Sequence, residues 1–179
     1  MKYYTVDING RKEDLPILSI GENLNIAFFN LHGAQELTEH GGKCLAERLE
    51  LYEPEVILTA ESKGLQLAHC IARELGHKFY AVSRKSKKLY MQDGIETTAK
   101  SITTAGEQTY YLSRHDVELM KGKRVAIVDD VISTGGSLAA LEELVRMAGG
   151  TTVAKAFVLA EGEAKNRKDV IFLAEIPLL

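Results

Sequence analysis

The chain of 179 residues has no tryptophan, only three prolines and only two cysteines. Cys44 and Cys70 stand inside helical patterns without CxxC spacing, which leaves neither a disulfide framework nor a zinc ribbon to build. His32, His40, His69, His77 and His115 are scattered with no H-x-x-x-H pair, which argues against a histidine metal site. A dominant charge is also missing. Lys and Arg number 22 against 25 Asp and Glu, a net charge of −3, so neither nucleic acid nor a membrane surface is an expected partner. No apolar run approaches the roughly 20 residues that a membrane span needs. The opening MKYYTVDING has no signal-peptide core, and the expected location is the cytoplasm. Neither G-x-G-x-x-G nor a glycine-rich loop ending in G-K-[ST] occurs, which removes the common nucleotide loops. There is no internal repeat.

What is present suits one globular domain, 45% hydrophobic and 26% charged. Residues 1 to about 34 hold the short apolar stretches YYTVDI, LPILSI and NIAFFNL, broken by Asn9-Gly10, Pro16 and Gly21, and read as a small antiparallel hood. The core is expected over about 35–179. An amphipathic helix over 35–52 is weakened by Gly41-Gly42. The strand EVILTA, the helix GLQLAHCIAREL and the strand KFYAVSR follow as a βαβ unit. Residues 92–114 read as an exposed hairpin or mobile loop, and TTVAKAFVLAEG and KDVIFLAEI as late strands. The fold class is α/β, a mostly parallel twisted sheet with helices on both faces.

The segment RVAIVDDVISTGGS, Arg124 to Ser137, concentrates the chemistry. Its apolar run is a strand buried on both faces, and Leu138, Leu141, Leu144 and Val145 continue as a helix. Ser133, Thr134 and Ser137 offer hydroxyls. Gly135 and Gly136 let the helix N-terminus approach an anion, so the turn is a phosphate cradle at the carboxyl end of a strand. Asp129 and Asp130 would repel a phosphate but accept from the vicinal hydroxyls of a ribose. A plain helix-cap cluster is the competing reading.

VAIVDDVISTGGS resembles the 5-phosphoribosyl-1-pyrophosphate (PRPP) signature of the type I phosphoribosyltransferases, and over about residues 53–150 the chain is most similar to the adenine-specific branch. The resemblance implies a purine base, adenine foremost, joined to PRPP to give a nucleoside monophosphate and pyrophosphate. Xanthine, another purine or orotate as acceptor, or a silent PRPP sensor, stay open. The implied roles place Asp129 and Asp130 on the ribose and Ser133 to Ser137 on the 5′-phosphate. TAESKG resembles the pyrophosphate loop E-S-R-G, often built on a non-proline cis peptide. It assigns Glu61, Ser62, Lys63 and Gly64, with Lys63 where arginine is usual. SRKSKKLY is similar to R-K-x-x-K-L-P and adds Arg84, Lys85 and the catalytic cation Lys88, with Tyr90 replacing the proline; shared cations imply a homodimer. YYLSRHDVEL lines up with a flexible-loop segment. Ser113 falls where a glutamate assists the base, unless Asp116 or Glu118 takes that part. Phe28, Phe29 and Ile132 are the candidates for base contact, the aromatics having core packing as their alternative. Mg²⁺ would arrive on PRPP's own oxygens, and 92–114 would close as a lid.

Overall fold

The computed structural model describes residues 1–21, 24–100 and 107–179, with the side chain of Lys100 outside that description. The β-branched runs anticipated from sequence form its centre: β4 (Val56–Ala60), with every residue buried, and β8 (Arg124–Ile132). With β5 (Ala81–Ser83), β9 (Thr151–Glu161) and β10 (Ile171–Ile176) they make one sheet in the order β10-β9-β8-β4-β5, every pair parallel. The chain runs outward from β4 to β5 on one side and from β8 through β9 to β10 on the other. The order therefore reverses between β4 and β8, and a crevice opens at their carboxyl ends.

Two apolar layers cover the sheet. Ala126, Val128, Ala156 and Val158 pack with α1 (Gln35–Leu49) and α2 (Leu65–Glu74). Val125, Ile127 and Phe157 pack with α4 (Gly136–Met147) and with Met120 of α3 (Arg114–Met120). The doubly covered parallel sheet is the expected one. KFYAVSR contributes only Ala81–Ser83 to the ladder.

At the N-terminus β1 (Tyr3–Ile8), β2 (Arg11–Gly21) and β3 (Leu24–Ala27) form the antiparallel hood. Asn9 and Gly10 both take positive φ, 52° and 92°, the geometry of a two-residue hairpin turn. Val6, Ile8, Leu15, Ala27, Phe29 and Leu31 join the layer under α1 and α2, so the hood shares the main core. The carboxyl tail ties it down through paired Asn25 and Leu179 backbones at 2.9 and 3.1 Å.

The glycine pair in α1 has a tertiary reason. A Cβ on Gly42 would lie 2.6 Å from Cβ of Cys70, so the small residue lets α1 rest against α2. Gly42→Ala is expected to force the helices apart and lower stability by about 1–3 kcal/mol despite better helix propensity. A urea midpoint equal to or above wild type would remove that explanation.

Residues 92–114 are less loop than expected. β6 (Ile95–Lys100) and β7 (Glu107–Leu112) are paired, and Ser113 caps α3 by accepting from the Asp116 amide at 3.2 Å. Residues 101–106, the centre of the expected lid, lie outside the described residues.

Candidate active site

The carboxyl ends of β4, β5 and β8 bring three loops to one edge. After β4 the chain turns through a cis peptide between Glu61 and Ser62, as the resemblance implied, and enters α2 at Gly64. After β8 it turns through Ser133–Gly135, where Gly135 takes φ of +84° and opens α4. That positive φ, not a side-chain cap, starts the helix, and it leaves first-turn N–H groups to a ligand. A cavity of about 140 Å³ runs from Asp129 and Val131 along Ser133–Ser137 to Leu138 and Phe157. Wider concavities lie elsewhere, such as one of about 460 Å³ beside Gln66 and Cys70, but the acids and the phosphate turn do not line it.

The acid pair sits at the switch point. Asp130 is 7% exposed, while Asp129 keeps an edge in solvent. Asp129 Oδ1 accepts from the Asp130 amide at 2.9 Å, and Asp130 Oδ1 from the Val131 amide at 2.9 Å. Among the described residues Asp130 Oδ2 has no hydrogen-bond partner; Nζ of Lys63 stands 3.8 Å away. Burial, reinforced by the Asp130 charge, pushes the Asp129 carboxyl up to about 8. Burial raises Asp130 too, against the pull of Lys63. A buried acceptor left open beside a phosphate turn is a place for a hydroxyl donor.

The pyrophosphate residues are assembled differently from expectation. Glu61 is bound by Arg84 Nη1 at 2.9 Å and the Lys85 amide at 2.8 Å. Burial raises its carboxyl, but those two bonds outweigh it and hold the group below its ordinary range. Already committed to a cation, Glu61 aims Arg84 rather than holding an anion itself. Lys63 leans the other way, over the Phe28 ring at 5.1 Å from its centroid and toward Asp130. That places it beside the acid pair and Phe28, away from Arg84. Lys85 and Lys88 are exposed at the same edge, and Ser62 presents its hydroxyl 3.4 Å from Nε2 of His32.

Of the three base candidates, Phe29 is withdrawn. Phe29 is 3% exposed and belongs to the hood core. Ile132 is 2% exposed and packs with the α4 layer, yet it lines the cavity together with its half-buried neighbour Val131. Val131 packs toward the layer of Val128 and Ile132 toward that of Ile127, with the β8–β9 register unbroken from Ala126 to Ile132. Phe28 stays half-buried beside Lys63. Ser113 is spent as a helix cap, and Asp116 holds the Val82 amide at 3.2 Å, so neither is free for the base.

Sequence reasoning missed Tyr110. It is buried at 3%, and its hydroxyl bonds Ser137 Oγ at 2.7 Å, docking the hairpin on the phosphate turn. No periodicity marks it out, because the contact spans separate loops.

The model of the phosphoribosyl transferase domain matches residues 30–176. The chain belongs to the phosphoribosyltransferase family. An adenine phosphoribosyltransferase of Brachyspira hyodysenteriae is 31% identical over 126 residues, 70% of this chain and 71% of that protein. The crystal structure of adenine phosphoribosyltransferase from Thermoanaerobacter pseudethanolicus superposes with a TM-score of 0.75 at 21% identity, over 90% of this chain and 95% of that one. The Saccharomyces cerevisiae enzyme, solved with an imino-altritol bisphosphate and adenine, gives 0.67 at 25% identity over 92% and 94%. This phosphoribosyltransferase therefore has its family's fold, and the match begins after β3, leaving most of the hood outside it. Among the described residues no helix is long and apolar enough to cross a membrane.

Proposed function

We propose that the chain transfers the phosphoribosyl group of PRPP to adenine, releasing pyrophosphate and forming adenosine monophosphate in purine salvage. The observation that supports this most is the acid pair beside the turn: Asp130 Oδ2 is buried with no hydrogen-bond partner among the described residues, and its neighbour Asp129 lines a cavity whose other end is the Ser133–Ser137 turn. A ribose diol and a 5′-phosphate fit its two ends. Relatives named adenine phosphoribosyltransferase support the choice of base.

As the bond from the anomeric carbon to pyrophosphate breaks, positive charge grows on the sugar ring. Asp129 and Asp130 accept from its hydroxyls and supply compensating negative charge from a fixed position. Arg84, aimed by Glu61, stands with Lys85 and Lys88 where the departing pyrophosphate gathers charge. Phe28 and Val131 offer apolar surface to the base plane, with Lys63 between Phe28 and Asp130. Holding both reactants in line converts a bimolecular encounter into a positioned displacement.

Among the described residues no three His, Cys, Asp or Glu side chains cluster as a metal cage. An acid pair alone suits Mg²⁺, which keeps most of its waters and binds through substrate phosphates and one or two carboxylates. Mg²⁺ would supply charge neutralisation to PRPP when bound. Apolar Leu89 and Tyr90, exposed beside the lysine run, support a homodimer, and the family supports a cytoplasmic site of action.

The test is pyrophosphate release from PRPP and Mg²⁺ with adenine, hypoxanthine, guanine, xanthine, orotate or uracil in turn. Release with adenine at least about a hundredfold above the others is expected, the scale on which an apolar pocket discriminates by shape. Preference for another base would overturn the specificity, and no release with any of them the activity.

A further inference from the structure

The phosphate turn offers hydroxyls and backbone N–H groups, but Ser133–Ser137 includes no cation. One basic side chain reaches it from outside the signature. A Cβ placed on Gly135 would lie 2.5 Å from Nη1 of Arg167 and 3.8 Å from its Cζ. Arg167 follows the 3-10 turn Gly162–Asn166 that joins β9 toward β10, some thirty residues beyond the cradle.

Its orientation is fixed by its other two nitrogens. Nε donates to Asp169 Oδ1 at 3.0 Å and Nη2 to Asp169 Oδ2 at 2.7 Å. Asp169 is held in turn by Lys155 Nζ at 2.7 Å, which also reaches Glu142 of α4 at 3.0 Å. Among the described residues Nη1 has no hydrogen-bond partner. Two cations and two carboxylates cancel, so the network sets direction without adding net charge. The group nearest the cradle is the free edge of a planar guanidinium, the donor geometry that suits a phosphate.

We propose that Arg167 is a ligand of the substrate's 5′-phosphate, aimed at the Gly135 turn by its fork to Asp169. The proposal rests on the reading of the acid pair and turn as a PRPP site. It also accounts for a bulkier residue being excluded at position 135 on two grounds, the positive φ and the guanidinium that fills the space of a Cβ.

The experiment measures dissociation constants of ribose 5-phosphate and of inorganic pyrophosphate by calorimetry for the full chain and for Arg167→Gln. Ribose 5-phosphate is expected to weaken by about tenfold, the size of a lost charge-assisted hydrogen bond at a half-exposed site, with pyrophosphate unchanged. Equal ribose 5-phosphate affinity in the two proteins overturns the proposal and leaves the PRPP reading standing. Both ligands weakening together also overturns it, since that is what a merely structural role produces. Failure of the wild-type chain to bind ribose 5-phosphate removes the PRPP reading itself. Should the variant unfold, the wild type still decides: the Arg167 guanidinium ¹⁵N–H resonances should move on adding ribose 5-phosphate and not on adding pyrophosphate, and resonances that stay in place refute the assignment.

Discussion

Asp129→Asn combined with Asp130→Asn should leave a folded protein that PRPP no longer protects from heat. At one hundred times its dissociation constant a ligand adds about 2.7 kcal/mol to stability, worth roughly 5–10 °C in Tm for a chain of this length. The variant should lose all of that rise, because its amides oppose donors of their own to ribose hydroxyls that need acceptors. An undiminished shift would remove the acid pair from the ribose site.

The same pair makes the empty protein pH-sensitive, with a definite sign. Burial and mutual repulsion raise the Asp129 carboxyl to about 8 in the fold, against about 4 in the unfolded chain. Between those limits the folded state binds the extra proton, so stability is greatest at the acid end, falls as pH climbs to about 8 and levels off above it. The double asparagine variant lacks these groups and should give a flatter profile, with a higher Tm than wild type at pH 8.5. Parallel profiles would show that the pair ionises without cost. Such a cost is retained where binding needs it, since the two carboxylates that destabilise the empty fold when ionised are the ones a ribose would satisfy.

Gly64→Ala should be nearly as damaging to activity while leaving the chain folded. A Cβ there would stand 2.1 Å from Thr59 Oγ1 and 2.8 Å from Asp129 Oδ1. Thr59 is fully buried in β4 and cannot retreat, so the new methyl displaces the Asp129 carboxylate or the cis-peptide turn before it. Overpacking of this kind costs about 1–3 kcal/mol of stability. A shift of about 1 Å in a positioned group costs on the order of a hundredfold in rate. The measurement is kcat/KM beside a urea curve. Near-normal turnover would mean that the turn relaxes and that Gly64 serves only the helix start.

The legible parts of this molecule were those written locally. A β-branched run followed by acids and small residues has one economical solution, strand then turn then helix, and Arg124–Met147 adopts it. Asn9-Gly10 made a hairpin for the same reason, the two residues tolerating positive φ. Choices between adjacent residues were not legible. Phe28 and Phe29 differ by one position at a strand end, and only the hood's seating on α1 decides that Phe29 goes inward. Ile132 was chosen for its place between the acids and the turn, and only the structure shows that Val131 lines the same cavity with more of its surface free. Glu61 was grouped with the pyrophosphate residues through its loop's resemblance to E-S-R-G, and nothing along the chain showed that Arg84, just after β5, bonds its carboxylate.

The sequence by itself determined the order of elements, the glycine turn that opens α4 and the presence of an acid pair, because each follows from neighbours along the chain. Only the tertiary structure decided which side chains face the cavity, why α1 tolerates two glycines, and that Tyr110 and Arg167 stand at a turn remote from them in sequence. Those outcomes depend on distances between segments that the parallel sheet brings to one edge. Such distances are set by packing across the sheet and leave no periodic trace in the residues that make them.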